Sequence, residues 1–167
     1  MDYKIERMNG FKVIGFEREF NAKTSYQEIP KFWGEFSEKY MKPLFGRKPE
    51  NDTEQTICDC MIGEYGVCIG ESPEDENFRY IIAGSYNGGE VPEGMTVYEF
   101  PDMEWAKFEC RGAMPKALQD LNTRIMTEFP NNGEYTFAMM ASVEWYSKGD
   151  MASDDYESGM WVPVVKI

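Results

Sequence analysis

The sequence predicts an α+β domain made from a duplicated β-α-β-β unit, and three observations predict it. Two segments carry apolar residues at helical spacing, six others carry strand composition, and the order strand, helix, strand, strand occurs twice. Short residue echoes fall in register with that order. Ile29-Pro30-Lys31 opens the first helical segment and Met114-Pro115-Lys116 the second, 85 positions later. Both helices are expected on one face of a shared antiparallel sheet, leaving the opposite face to be covered or to form a groove.

In the first helix, Ile29, Phe32, Trp33, Phe36 and Tyr40 follow the i, i+3, i+4, i+7, i+11 pattern. Ser25 with Glu28 has capping-box spacing, and Pro30 predicts an irregular first turn. In the second helix, Leu118, Leu121, Ile125 and Phe129 recur on one face. That helix opens near Pro115 and stops before Pro130-Asn131-Asn132-Gly133. Predicted strands cover Lys4–Phe20 (broken at Asn9-Gly10), Thr56–Gly70, Phe78–Tyr86, Met95–Arg111, Tyr135–Ser147 and Tyr156–Ile167. One domain spans 1–167, its halves falling at about 1–90 and 91–167. The glycine-rich run Asn87–Gly94 lacks phosphate-loop spacing and is expected to join the halves.

The formal net charge is −13, from 17 basic and 30 acidic residues, and no run of Lys and Arg forms. A nucleic-acid binder needs a basic face to displace counterions from phosphates, so direct nucleic-acid binding is not expected. No apolar stretch approaches a membrane span, and the N-terminal residues lack the apolar region of a secretory signal. The chain has no histidine, which removes histidine-dependent triads and the usual haem ligand. Cys58, Cys60 and Cys68 would share one face of a predicted strand, while Cys110 lies apart. Without zinc spacing, these read as reduced buried thiols in a cytoplasmic protein with no metal or cofactor.

The segment around Glu144 carries the most informative alternation. Phe137, Met139, Ala141, Val143 and Trp145 form an apolar face expected to pack on the helices. Met140, Ser142, Glu144 and Tyr146 form the other face. An ionised carboxylate there needs a partner, and two remain open: a cationic ligand, or Lys107 on a neighbouring strand. Glu64 has a similar setting on the first half's strand. Trp33, Phe36, Tyr65, Tyr80, Tyr86, Trp105, Tyr146 and Trp161 supply aromatic surface, and most of them must be core. A few lining a groove would suit a flat or cationic ligand, with methionines such as Met140 as adaptable wall.

Several motifs, taken together, resemble the GyrI-like (gyrase-inhibitor-like) small-molecule-binding family. They are Ile29-Pro30-Lys31-Phe32-Trp33, Ile62-Gly63-Glu64-Tyr65-Gly66-Val67, Tyr86 to Met95, Val143-Glu144-Trp145-Tyr146 and Met160-Trp161-Val162-Pro163-Val164. The resemblance implies two β-α-β-β units about a pseudo-twofold axis, enclosing a central aromatic-lined pocket whose glutamate pairs with cationic, amphipathic ligands. Glu144 matches that glutamate. The implied domain occurs alone or as the effector-binding part of AraC-type and MerR-type regulators. Some similar proteins hydrolyse cyclopropane-bearing genotoxins, and others bind gyrase. Many relatives carry an acid where this chain has Gly159, which leaves Glu157 or Glu64 to supply any second pocket acid. No helix-turn-helix segment is present in the sequence.

The leading expectation is therefore a stand-alone binder of aromatic or cationic amphipathic molecules, monomeric or weakly dimeric. Its expected ligand-binding residues are Glu144, Trp33, Phe36, Tyr65, Tyr86, Trp105, Met140, Tyr146 and Trp161. The alternatives are a hydrolase using Glu144 with Tyr65 or Tyr146, and an acidic module that binds a regulator or gyrase.

Overall fold

The computed structural model describes residues 1–72 and 74–167. The chain opens with β1 (Lys4–Met8) and β2 (Phe11–Asn21), split at Asn9-Gly10 as the sequence indicates. Helix α1 (Ser25–Phe36) continues through a π-helical turn, Ser37–Met41, and a short helical turn, Lys42–Leu44. Then come α2 (Asp52–Asp59), β3 (Tyr65–Ile69), β4 (Asn77–Ser85), β5 (Thr96–Phe100) and β6 (Met103–Arg111). The chain ends with α3 (Lys116–Glu128), β7 (Tyr135–Phe137), β8 (Ala141–Tyr146) and β9 (Glu157–Lys166).

All pairings are antiparallel, and the sheet runs β1-β6-β9-β8-β3-β4-β2-β5, with β7 also on β9. This order is the same read from either end once the two units are equated. β3 matches β8, β4 matches β9, β2 matches β6 and β5 matches β1. The pseudo-twofold centre lies where Val67 faces Val143. The units also exchange an edge: β1 pairs with β6 of the second unit, and β5 pairs with β2 of the first.

Three apolar clusters hold the sheet. Phe32 and Phe36 of α1 pack on Ile14, Tyr80 and Ile82. Leu118, Leu121 and Ile125 of α3 pack on Ala106, Phe108, Met160 and Val162. A third cluster on the opposite face joins Val13, Val67, Ile81, Phe100, Trp105 and Val143. Phe100 of β5 and Trp105 of β6 lie near opposite ends of the strand order, yet their rings are 5.2 Å apart. The sheet therefore curls on itself, and this face needs no second layer to exclude water.

That curl corrects the facing expected from alternation. Val143 belongs to the curled face, and Glu144 looks toward the helices. Strands buried on both faces lose the polar-apolar signal that tells one face from the other. Residues 80–83, Tyr-Ile-Ile-Ala, are all fully buried and show the same ambiguity.

The segment expected as one strand, Thr56–Gly70, opens as the end of α2, turns over residues 60–63 and is strand only over Tyr65–Ile69. Asn51 caps α2 by accepting the Glu54 N–H at 2.8 Å, a start signal the strand reading passes over. Arg47 grips the Glu54 carboxylate through two bonds of 2.9 and 3.0 Å and holds its carboxyl down at about 2. Cys58 therefore lies on a helix, Cys60 at its C-cap and Cys68 on β3, so the three share no strand face. Met95–Arg111 divides at Pro101-Asp102, and Tyr135–Ser147 divides between β7 and β8.

The Ser25–Glu28 capping box does not form: Thr24 is the N-cap, and the Ser25 hydroxyl donates to the Ala22 carbonyl at 3.3 Å. Pro30 sits inside α1 and leaves the first turn regular. Lacking an N–H, Pro30 cannot satisfy the Tyr26 carbonyl four residues back. Gln119 of α3 does so instead, its amide donating at 3.0 Å.

A buried carboxyl between two helices

A cavity of about 1030 Å³ lies between α1 and α3, over the centre of the sheet. Its floor is the even-numbered face of β8 and β3: Ser142, Glu144 and Tyr146 with Cys68. Trp33 and Phe36 come from α1, and Leu118, Gln119 and Asn122 from α3. Seven methionines (Met41, Met114, Met126, Met139, Met140, Met151 and Met160) give it soft, polarizable walls.

The helices meet over this space through Tyr26. Its carbonyl takes the Gln119 amide, and its hydroxyl accepts from the Asn122 amide at 2.9 Å. The same hydroxyl lies 3.4 Å from the Thr123 hydroxyl. One proline on α1 thus opens a backbone acceptor that ties the two units together across the roof.

Glu144 is anchored from one side. Tyr80 donates to its Oε1 at 2.5 Å and Tyr146 donates to the same oxygen at 3.0 Å. Trp33 donates its indole N–H to the Tyr80 hydroxyl at 2.7 Å, which carries the chain of bonds up to α1. Among the described residues Oε2 accepts no hydrogen bond, and Glu144 enters no salt bridge. The Lys107 alternative is excluded: that ammonium pairs with Glu6 at 2.7 Å and lies over the Trp161 ring at 3.9 Å.

Desolvation pushes the Glu144 carboxyl up to about 7, against the pull of the two tyrosine hydroxyls, which favour its charged form. Burial and the Glu144 charge raise both Tyr80 and Tyr146 well above the ordinary phenol range, so both remain donors. Burial likewise raises the Cys68 thiol. Gly66 makes the arrangement possible. It faces Glu144 across β3 and β8, and a Cβ there would overlap both the Tyr80 hydroxyl and Glu144 Oε1.

Of the residues singled out from sequence, Glu144, Trp33, Phe36, Met140 and Tyr146 all line the cavity. Tyr65, Trp105 and Trp161 do not, because they belong to the curled face. The Tyr65 and Trp161 rings lie 5.9 Å apart there, and Trp105 is fully buried. Tyr86 packs at the edge of the first cluster and donates to the Gly89 carbonyl at 2.5 Å. For the second acid, Glu157 pairs with Arg111 at 2.7 Å, and neither it nor Glu64 lines the cavity. Gly159 faces the Trp145 indole, with its neighbour Met160 on the cavity side. The second acid at the cavity is Asp75, in the β3–β4 hairpin.

Sequence reasoning missed three site residues: Tyr80, Gly66 and Asp75. Tyr80 stands in an apolar run and reads as core, which it also is. Its one available signal is that a fully buried phenol needs a hydrogen-bond partner. Among the described residues no group of three or more His, Cys, Asp and Glu side chains is placed to hold a metal ion, and all four cysteines are free thiols. No described helix is long and apolar enough to cross a membrane.

Two β-α-β-β units roofed by paired helices over a carboxyl-floored cavity define the GyrI-like fold. Within it, the chain belongs to the Cass2 family of integron-associated effector binding proteins, whose model matches residues 4–164. The fold is similar to that of SAV2435, solved bound to tetraphenylphosphonium (TM-score 0.76, 22% identity, 99% of this chain and 94% of that one). It is also similar to a putative transcription regulation protein from Staphylococcus aureus (TM-score 0.69, 23% identity, 98% of each chain). An integron cassette protein from the mobile metagenome of Vibrio cholerae aligns with a TM-score of 0.68 at 17% identity, over 98% of this chain and 95% of that one. Among curated proteins, none matches the chain.

Proposed function

We propose that this protein binds aromatic or amphipathic organic cations in the cavity and serves as a sensor or sequestering module for them. One observation carries the reading: a desolvated carboxyl, one oxygen of which has no partner among the described residues, lines a largely apolar cavity whose described lining includes no Lys or Arg. Such a group is costly to ionise alone, and a bound cation removes the cost. Trp33 and Tyr146, with ring centroids 4.9 Å apart, give the cation aromatic surface beside the carboxylate. The tetraphenylphosphonium held by a protein of the same fold supplies the probe.

Titration of intrinsic tryptophan fluorescence with tetraphenylphosphonium tests the reading, comparing wild type with Glu144→Gln. A carboxylate and a cation about 5 Å apart attract by roughly 3 kcal/mol at an effective dielectric constant of about 20, so the variant should bind at least about tenfold more weakly. Equal affinity in the two proteins refutes the role given to Glu144.

The same carboxyl supports a second reading, a hydrolase. Raised to about 7, Glu144 is poised to take a proton from water, with the Tyr146 hydroxyl as the adjacent proton donor. Tyr65 packs on the other face of the sheet, so this reading uses Tyr146. Release of ring-opened product from an electrophilic cyclopropane-bearing compound, lost in Glu144→Gln, supports this reading; binding without turnover removes it.

A further inference from the structure

We propose that the cavity is built for a dication, with Glu144 holding one positive centre at the floor and Asp75 the second at the mouth. The inference rests on the cation-binding reading above and extends it to the class of ligand. Among the described residues lining the cavity, Glu144 and Asp75 are the only charged ones. No salt bridge among the described residues involves either carboxylate. A monocation on Glu144 leaves the other charge of the cavity unmatched.

Sheet register sets the spacing. Glu144 stands opposite Gly66 on β3, and the ladder ends four residues on, where the Gly70 N–H donates to the Met140 carbonyl at 2.7 Å. At about 3.3 Å per residue, the hairpin carrying Asp75 begins roughly 13 Å along the strand from Glu144. Between the anchors the wall is mostly apolar, with Met140, Phe78 and Ser142 lining it. The arrangement thus asks for two cationic groups joined by an extended apolar spacer. The hairpin also carries Glu71, Glu74 and Glu76, and among the described residues their one salt bridge is that of Glu76 with Lys23, at 3.9 Å. The mouth therefore attracts cations before they reach the floor.

Isothermal titration of the full chain with two probes tests this inference. Decamethonium joins two quaternary ammonium groups by an extended ten-carbon chain, and decyltrimethylammonium is its monocationic counterpart. An exposed charge contact is worth about 1 kcal/mol, or roughly fivefold in affinity. Decamethonium should bind wild type about fivefold more tightly than decyltrimethylammonium, beyond the gain of about twofold from its two equivalent ends. Asp75→Asn should erase that advantage while leaving decyltrimethylammonium within about twofold. Glu90→Gln, a charge removed outside the cavity, should leave the advantage in place.

No dication advantage, or an advantage that survives Asp75→Asn, overturns the inference. If in that case the monocation still binds and depends on Glu144, the cation-binding reading stands and only the dication is lost. Failure of both probes and of tetraphenylphosphonium to bind overturns the two together.

Discussion

The Glu144 carboxyl makes the stability of the free protein depend on pH in a direction opposite to that of most carboxylates. Its folded-state value is about 7, raised by desolvation from the ordinary 4.5. Between those limits the folded chain keeps a proton that the unfolded chain releases. The stabilisation is therefore fully present below about pH 4.5 and is lost as pH rises through about 7. At about 1.4 kcal/mol per pH unit, the loss from this one group approaches roughly 3 kcal/mol. Glu144→Gln retains much of the shape and cannot ionise, so it escapes the loss. Urea unfolding of both proteins at intervals from pH 5 to pH 8 isolates the effect. The stability of the variant relative to wild type should improve steadily up to about pH 7 and then level off. A difference independent of pH would refute the desolvation of Glu144, and with it the reason a cation is favoured there. The same linkage governs binding: affinity for tetraphenylphosphonium should rise up to about tenfold per pH unit below pH 7 and flatten above it.

Gly66→Ala places a methyl group in the space of the Tyr80–Glu144 hydrogen bond. It should cost about 1–3 kcal/mol in urea unfolding and sharply weaken tetraphenylphosphonium binding, although residue 66 is absent from the cavity wall. Trp33→Phe keeps an aromatic ring beside Tyr146 and deletes the donor to the Tyr80 hydroxyl. A loss of about 1 kcal/mol is expected, with the Glu144 titration, followed by carboxyl NMR, displaced from its wild-type midpoint. Cys58 is exposed on α2, whereas Cys68 is held protonated under the cavity. Timed alkylation with iodoacetamide and peptide mass spectrometry should label Cys58 first and Cys68 last, and the reverse order would contradict the helical placement of Cys58.

The sequence by itself determined the elements whose apolar spacing is unambiguous. Leu118, Leu121 and Ile125 lie buried on α3, Phe32 and Phe36 lie buried on α1, and the breaks at Asn9-Gly10 and Pro130 fall where turn chemistry puts them. It also marked Glu144, because an acid amid methionine, serine and tyrosine on a strand needs an explanation wherever that strand lies. Local rules failed at α2, where the strand pattern of 56–70 hid the cap at Asn51.

Only the tertiary structure decided which face of the sheet holds the site. β4 is apolar on both faces, and in β8 alternation separates an apolar set from one carrying Glu144 without saying which set meets the helices. The curl that brings Phe100 to Trp105 made that choice, sending Tyr65 and Trp161 one way and Glu144 with Tyr146 the other. Partners distant in the chain were equally beyond local reading. Tyr80 reaches Glu144 across 64 positions, and the Gln119 amide meets the Tyr26 carbonyl across 93. Spacing along a chain reports which residues share a face; hydrogen-bond partners and desolvation depend on what the fold brings opposite that face.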